Sequence, residues 1–169
     1  MSLQSYPVTF ITIGILCAAH FLFMINSELI YDVMTIPNMF LQHMAATFVH
    51  GSAIHLFQNC LSMYRLRSIE LVNRSAYLNQ VLYFVVMNSL LWYLANELVF
   101  MNFSVGFSGV LFGLITLYPN GEIMGISINP VLFPFAMLFL MQLLVPSASL
   151  AGHFIGIVSA YIYMFVMGV

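Results

Sequence analysis

Apolar residues run along this chain in six blocks separated by short polar breaks. The blocks predict helices at about Val8 to Ile25, Ser52 to Tyr64, Leu78 to Leu98, Gly106 to Tyr118, Asn129 to Leu144 and Leu150 to Met167. A helix that crosses a bilayer uses ~20 residues for a ~30 Å hydrocarbon core, so six crossings with short connections nearly fill 169 residues. The pattern therefore predicts an all-α membrane protein, a six-helix bundle forming one domain over residues 1–169. The longest break, Asn26 to Val49, carries Glu28, Asp32 and Pro37 among Met, Phe and Leu, and reads as a loop lying partly in the membrane interface. The first block begins near Pro7 with no charged stretch before it, so a retained helix is expected rather than a cleaved signal peptide.

Composition narrows the class and charge sets the direction. The chain is 63% hydrophobic and 5% charged, with no lysine, which excludes a water-soluble globule. Arg65, Arg67 and Arg74 all follow the second block, and no other connection carries a basic residue. The positive-inside bias puts that connection, and the N-terminus, in the cytoplasm. The second, fourth and sixth helices then all run inward from the outer side, so polar residues near their starts meet at one depth. A multi-pass protein of the endoplasmic reticulum, another endomembrane or the plasma membrane is expected, with the lipid bilayer as its surroundings. A net charge of -2 gives no basic footprint for nucleic acid. Cys17 and Cys60 stand in apolar blocks without CxxC spacing and read as buried small hydrophobes. No metal site or cofactor is expected.

The fourth block is short: ~13 residues at 1.5 Å rise reach ~20 Å, about 10 Å less than the core. Ser108 would then lie sunk below the outer surface. Irregular backbone at such depth survives only inside protein or beside a wet cavity.

Three polar groups stand near the outer starts of the inward-running helices: His55 with Asn59, Ser108, and His153. Polar groups inside membrane helices mark function by default. His55 and Asn59 are four apart and share a helical face. Gly109 and Gly113 form one small-residue stripe, and Gly152, Gly156 and Ala160 form another, which would let the fourth and sixth helices approach closely. Ser108 and His153 would then meet as nucleophile and base, sufficient for acyl transfer. Asn59, His55 and the Ser108 N–H are candidate donors for an oxyanion, with Gly106 beside them. No acid neighbours His153 in sequence; Glu97 is the nearest outer-side carboxylate by topology, and a dyad is expected. Taken singly, each feature has a plainer reading. Ser108 among glycines reads more often as packing. His50 reads as a brace for the long first connection, and His20 and His43 as interface residues. His50 and His55, five apart, are off one face and make no HExxH zinc motif.

Three segments carry a resemblance. His50-Gly51-Ser52-Ala53-Ile54-His55-Leu56-Phe57-Gln58-Asn59, then Gly106-Phe107-Ser108-Gly109-Val110-Leu111-Phe112-Gly113, then Ala151-Gly152-His153-Phe154-Ile155-Gly156 resemble, in order, the His/Asn, GxSGxxxG and AHxxG motifs of the rhomboid intramembrane serine proteases. The wording around Ser108 and His153 resembles the six-helix eukaryotic members of the endoplasmic reticulum. The resemblance implies six helices around a short central fourth, Ser108 as nucleophile and His153 as base. It implies Asn59 and His55 at the oxyanion site, and the Phe112 ring packed on the catalytic histidine where many members have Tyr. Members often carry Trp-Arg shortly before the His50 position; here Leu41-Gln42-His43 stands instead.

The expected activity is cleavage of transmembrane segments of other proteins near their outer ends, with the connection around Val145 to Ser149 as a movable cap. The alternative is a non-proteolytic membrane protein that binds or escorts transmembrane helices in the same cavity. A channel or transporter is disfavoured because no span has a charged residue at its centre. Two sequons, Asn102-Phe103-Ser104 and Asn73-Arg74-Ser75, fall on the expected outer and inner sides.

Overall fold

The computed structural model describes residues 4–99, 104–123, 125–146 and 148–169. In chain order its helices are α1 (Pro7–Ile25), α2 (Glu28–Met34), α3 (Met39–Ala46), α4 (Ala53–Arg65), α5 (Arg67–Val72), α6 (Arg74–Val99) and α7 (Ser108–Leu117), then α8 (Phe133–Leu144) and α9 (Leu150–Met167). The six apolar blocks become α1, α4, α6, α7, α8 and α9, with ends within a few residues of those expected. By length and composition α1, α6 and α9 can each cross a membrane, while α7 and α8 are shorter apolar helices. The chain is thus a mostly helical membrane protein with three helices of crossing length among the described residues.

The long first connection is not a loop. It folds into α2 and α3, each started by an asparagine: Asn26 Oδ1 accepts from the Glu28 N–H at 3.1 Å, and Asn38 Oδ1 accepts from the Leu41 N–H at 3.0 Å. Such side chains satisfy the free donors of a first turn. The Gln42 amide donates to the Met34 carbonyl and ties α3 to α2. Helices of seven and eight residues fall below a hydropathy window, which is why the pattern hid them. A two-stranded antiparallel hairpin, Glu122–Ile123 with Ile126–Ser127, joins α7 to α8 and was also unforeseen.

Pro7 opens α1, where its missing N–H is not needed. The next donors are met from α5. Buried Glu70 accepts from Val8 N–H at 2.8 Å, Thr9 N–H at 2.9 Å and the Thr9 hydroxyl at 2.8 Å. Charge-assisted bonds to a helix N-terminus are the strong kind.

At the centre stands α7, with Val110, Leu111, Phe112, Gly113, Leu114 and Thr116 all buried. It packs on α9, α6, α4 and α8. Around it Met63, Tyr77, Phe84, Phe107 and Ala160 complete a core. The helix has 10 residues rather than the expected 13 or so, because Gly106 and Phe107 form the turn before it. At 1.5 Å per residue it is about 15 Å long, roughly half a hydrocarbon core.

Two expectations fail on placement. Cys17 is exposed and Cys60 only half-buried, so neither is a buried packing residue. Gly113 does not face α9: a Cβ there would lie 2.6 Å from the Phe84 ring of α6. Asn102 and Phe103, which carry the expected outer sequon, lie outside the described residues, as does Ser147 of the expected cap.

Candidate active site

Two of the helices that supply the site begin at a serine cap. Ser52 Oγ accepts from the His55 N–H at 3.2 Å and starts α4, and Ser149 Oγ accepts from the Gly152 N–H at 3.0 Å and starts α9. Between them, α7 starts at Ser108 itself. The turn before it depends on Gly106, which has φ +114° and donates to the Ala46 carbonyl at 3.0 Å. A Cβ at Gly106 would lie 2.5 Å from His55 Cε1, so the imidazole rests directly on this glycine. Here the missing side chain serves both conformation and close approach.

Ser108 sits in the first turn, where N–H groups have no intrahelical acceptor and the helix dipole is positive. The neighbouring helix comes very close. A Cβ on Gly109 would be 3.1 Å from the Gly152 carbonyl, and one on Gly156 would overlap the Gly109 carbonyl. These contacts flank Ser108 and His153 and bring them to one wall of a single cavity of about 580 Å³. Among the described residues no hydrogen bond joins the two side chains. Catalytic bonds are often long in a free enzyme and tighten with substrate.

His153 is buried at 2% exposure, and its Nδ1 makes no hydrogen bond among the described residues. Phe112 stacks on its imidazole, with ring centroids 4.4 Å apart and planes 21° apart. The ring thereby fixes the plane of the histidine. Glu97 is exposed on α6 and does not line the cavity.

His50 and Asn59 form a pair. His50 Nδ1 donates to the Phe48 carbonyl at 3.2 Å, which leaves Nε2 to accept from Asn59 Nδ2 at 2.8 Å. That fixes the tautomer of His50 and the rotamer of Asn59, whose second N–H remains for the cavity it lines. His50 and His55 meet edge to face at 5.1 Å between centroids. The structure therefore gathers Ser108, His153, Asn59, His55 and Phe112 at the cavity, with His50 and Gly106 behind them.

His43 was expected at the interface but is buried, stacked on Trp92 with centroids 5.5 Å apart. It occupies the stretch where Trp-Arg was looked for, so α3 is anchored to α6 by a ring stack. The cavity also shows residues that sequence reading passed over. Gln58 and Ser62 of α4 line it, and Met137 and Met141 of α8 stand among its other lining residues. The signal was present: His55, Gln58, Asn59 and Ser62 repeat at i, i+3, i+4, i+7, one face of a helix.

Comparison with known proteins identifies the family. The family model of the Rhomboid domain matches residues 37–169, which takes in every residue of the site. A protein of Acanthamoeba polyphaga mimivirus, provisionally named rhomboid protein L523, is 30% identical over 166 residues, spanning 93% of this chain and 88% of that one. A family match over most of the chain, on a helical frame whose cavity gathers the three motifs, leads to one conclusion: this chain belongs to the rhomboid family.

Proposed function

We propose that the chain is an intramembrane serine endopeptidase acting on transmembrane segments of other proteins, built as a single domain of six membrane helices with its N-terminus in the cytoplasm. The observation that carries this reading is the convergence of Ser108, His153 and Asn59 on one cavity, with Phe112 stacked on the imidazole. Ser108 Oγ attacks the scissile carbonyl and its proton passes to His153 Nε2. The developing oxyanion is met by the Asn59 N–H, His55 and the Ser108 N–H at the start of α7. The C–N bond breaks as His153 returns the proton to the leaving amine. Water then hydrolyses the acyl-enzyme by the same base. Phe112 offers its π-face to the transient imidazolium.

A fully hydrogen-bonded helix offers no free carbonyl, so substrates are segments that unwind near the outer surface. The second reading is a rhomboid that binds transmembrane helices without cleaving them, which the missing partner of His153 Nδ1 favours. A fluorophosphonate probe applied to membranes separates the two. Labelling of Ser108 that disappears in His153→Ala is expected of the protease. Unlabelled wild type, or reporter cleavage surviving Ser108→Ala, refutes it.

A further inference from the structure

The cavity does not end at the reacting groups. Its lining continues from His55 to Ser62 on α4 and from Ser108 to Ile115 on α7, seven residues along each helix. At 1.5 Å per residue both walls extend about 10 Å past the serine, the span of about three residues of extended peptide. The two sides of this deeper half differ. On α4 the deeper lining is polar, with Gln58 and Ser62, while Ile54, one turn before Gln58, also lines the cavity and Phe57, outside it, is 65% exposed. Opposite stand the thioethers of Met137 and Met141 from α8.

Gln58 and Ser62 make no side-chain hydrogen bond among the described residues. An amide and a hydroxyl left without partners in hydrocarbon are strongly unfavourable, so groups held open in this way face water or a ligand that can bond them. Flexible methionines on the facing wall accept side chains of varied shape. The chemistry of the pair is a carboxamide with two donors and an acceptor, one turn above a hydroxyl.

From this we propose that Gln58 and Ser62 form a specificity subsite, resting on the protease reading above. The subsite takes a hydrogen-bonding side chain, such as asparagine, two to three residues from the cleaved bond on the side that leads deeper along α4. What it selects is a polar side chain, not merely a weak helix. Asparagine and glycine both weaken a helix, but only asparagine can bond the carboxamide and hydroxyl.

The test uses the full chain reconstituted in vesicles with three reporter segments, identical but for Leu, Gly or Asn at that position. Wild type is expected to cleave the Asn reporter about tenfold better than the Gly reporter in kcat/KM. In Gln58→Leu/Ser62→Ala this advantage disappears through KM, while the preference of Gly over Leu and probe labelling of Ser108 persist. Gln58→Asn, a second variant that keeps the amide, retains part of the advantage. Labelling with equal cleavage of the Asn and Gly reporters by wild type overturns the subsite alone, as does an unchanged advantage in the double variant. Absence of labelling in wild type overturns the protease reading and the subsite with it.

Discussion

Gly156→Ala offers a direct test of whether helix proximity makes the site. The added Cβ would overlap the Gly109 carbonyl and stand 3.0 Å from the Gly109 carbonyl carbon and 3.1 Å from Phe112 Cβ, against 3.4–4 Å for ordinary contact. Two of these obstacles are backbone atoms of α7, which cannot rotate away. Relief therefore requires α7 and α9 to separate by about 1 Å, and a misplacement of that size at reacting atoms costs on the order of 100-fold in rate. Overpacking of this kind destabilises by about 1–3 kcal/mol, so the protein still folds. Gly14→Ala is the control, because nothing lies within 4 Å of its added Cβ on α1. It should leave cleavage unchanged and raise stability by up to about 1 kcal/mol through helix propensity. Both variants are purified in detergent, unfolded thermally, and assayed for reporter cleavage at matched folded fraction. Wild-type cleavage by Gly156→Ala would refute the argument that the close crossing of α7 and α9 positions Ser108 and His153.

Three further outcomes follow from other contacts. Phe112→Leu removes the ring stacked on His153 and should lower kcat about 5- to 30-fold, the loss of ~1–2 kcal/mol of π stabilisation of the imidazolium, with KM little changed. An unchanged kcat would remove the ring from the mechanism. Gly106→Ala combines a φ of +114° with a clash against His55, and should slow probe labelling of Ser108 at least tenfold by about 1–3 kcal/mol of strain. Glu70→Gln keeps the shape but loses charge-assisted bonds to three donors, and should lower unfolding stability by about 2–4 kcal/mol while the folded fraction keeps its cleavage rate. A stability loss under ~0.5 kcal/mol would mean that Glu70 does not hold α1.

Helices at the six predicted blocks were legible because hydropathy follows apolar runs directly, and three of them, α1, α6 and α9, have the length and composition to cross a membrane. Residues 26–49 were not, since α2 and α3 rest on the Asn26 bond to the Glu28 N–H, the Asn38 cap and packing on neighbours rather than on a long apolar run. At the site, Ser108, His153, Asn59 and His55 could be singled out because polar groups at membrane depth need a reason. Gln58 and Ser62 carry the same spacing, yet they were passed over for residue types more often used in catalysis. The direction of Gly113 was beyond sequence altogether. A small-residue stripe states that some helix comes close, and only the fold shows that Phe84 of α6 fills that place.

The Glu70 contact also bears on the order in which the chain assembles. Val8 and Thr9 are bound by a carboxylate 62 and 61 residues later in sequence. At synthesis rates of about 5–20 residues per second, roughly 3–12 s separate the first turn of α1 from the group that completes it. During that interval α1 has its length, its hydropathy and its packing on α2 and α4, but the donors of its first turn lack this acceptor. Glu70 arrives just after α4, the helix that carries His55 and Asn59. The latch therefore closes only once the first half of the site exists, and it sets the register of α1 against a wall that is already in place.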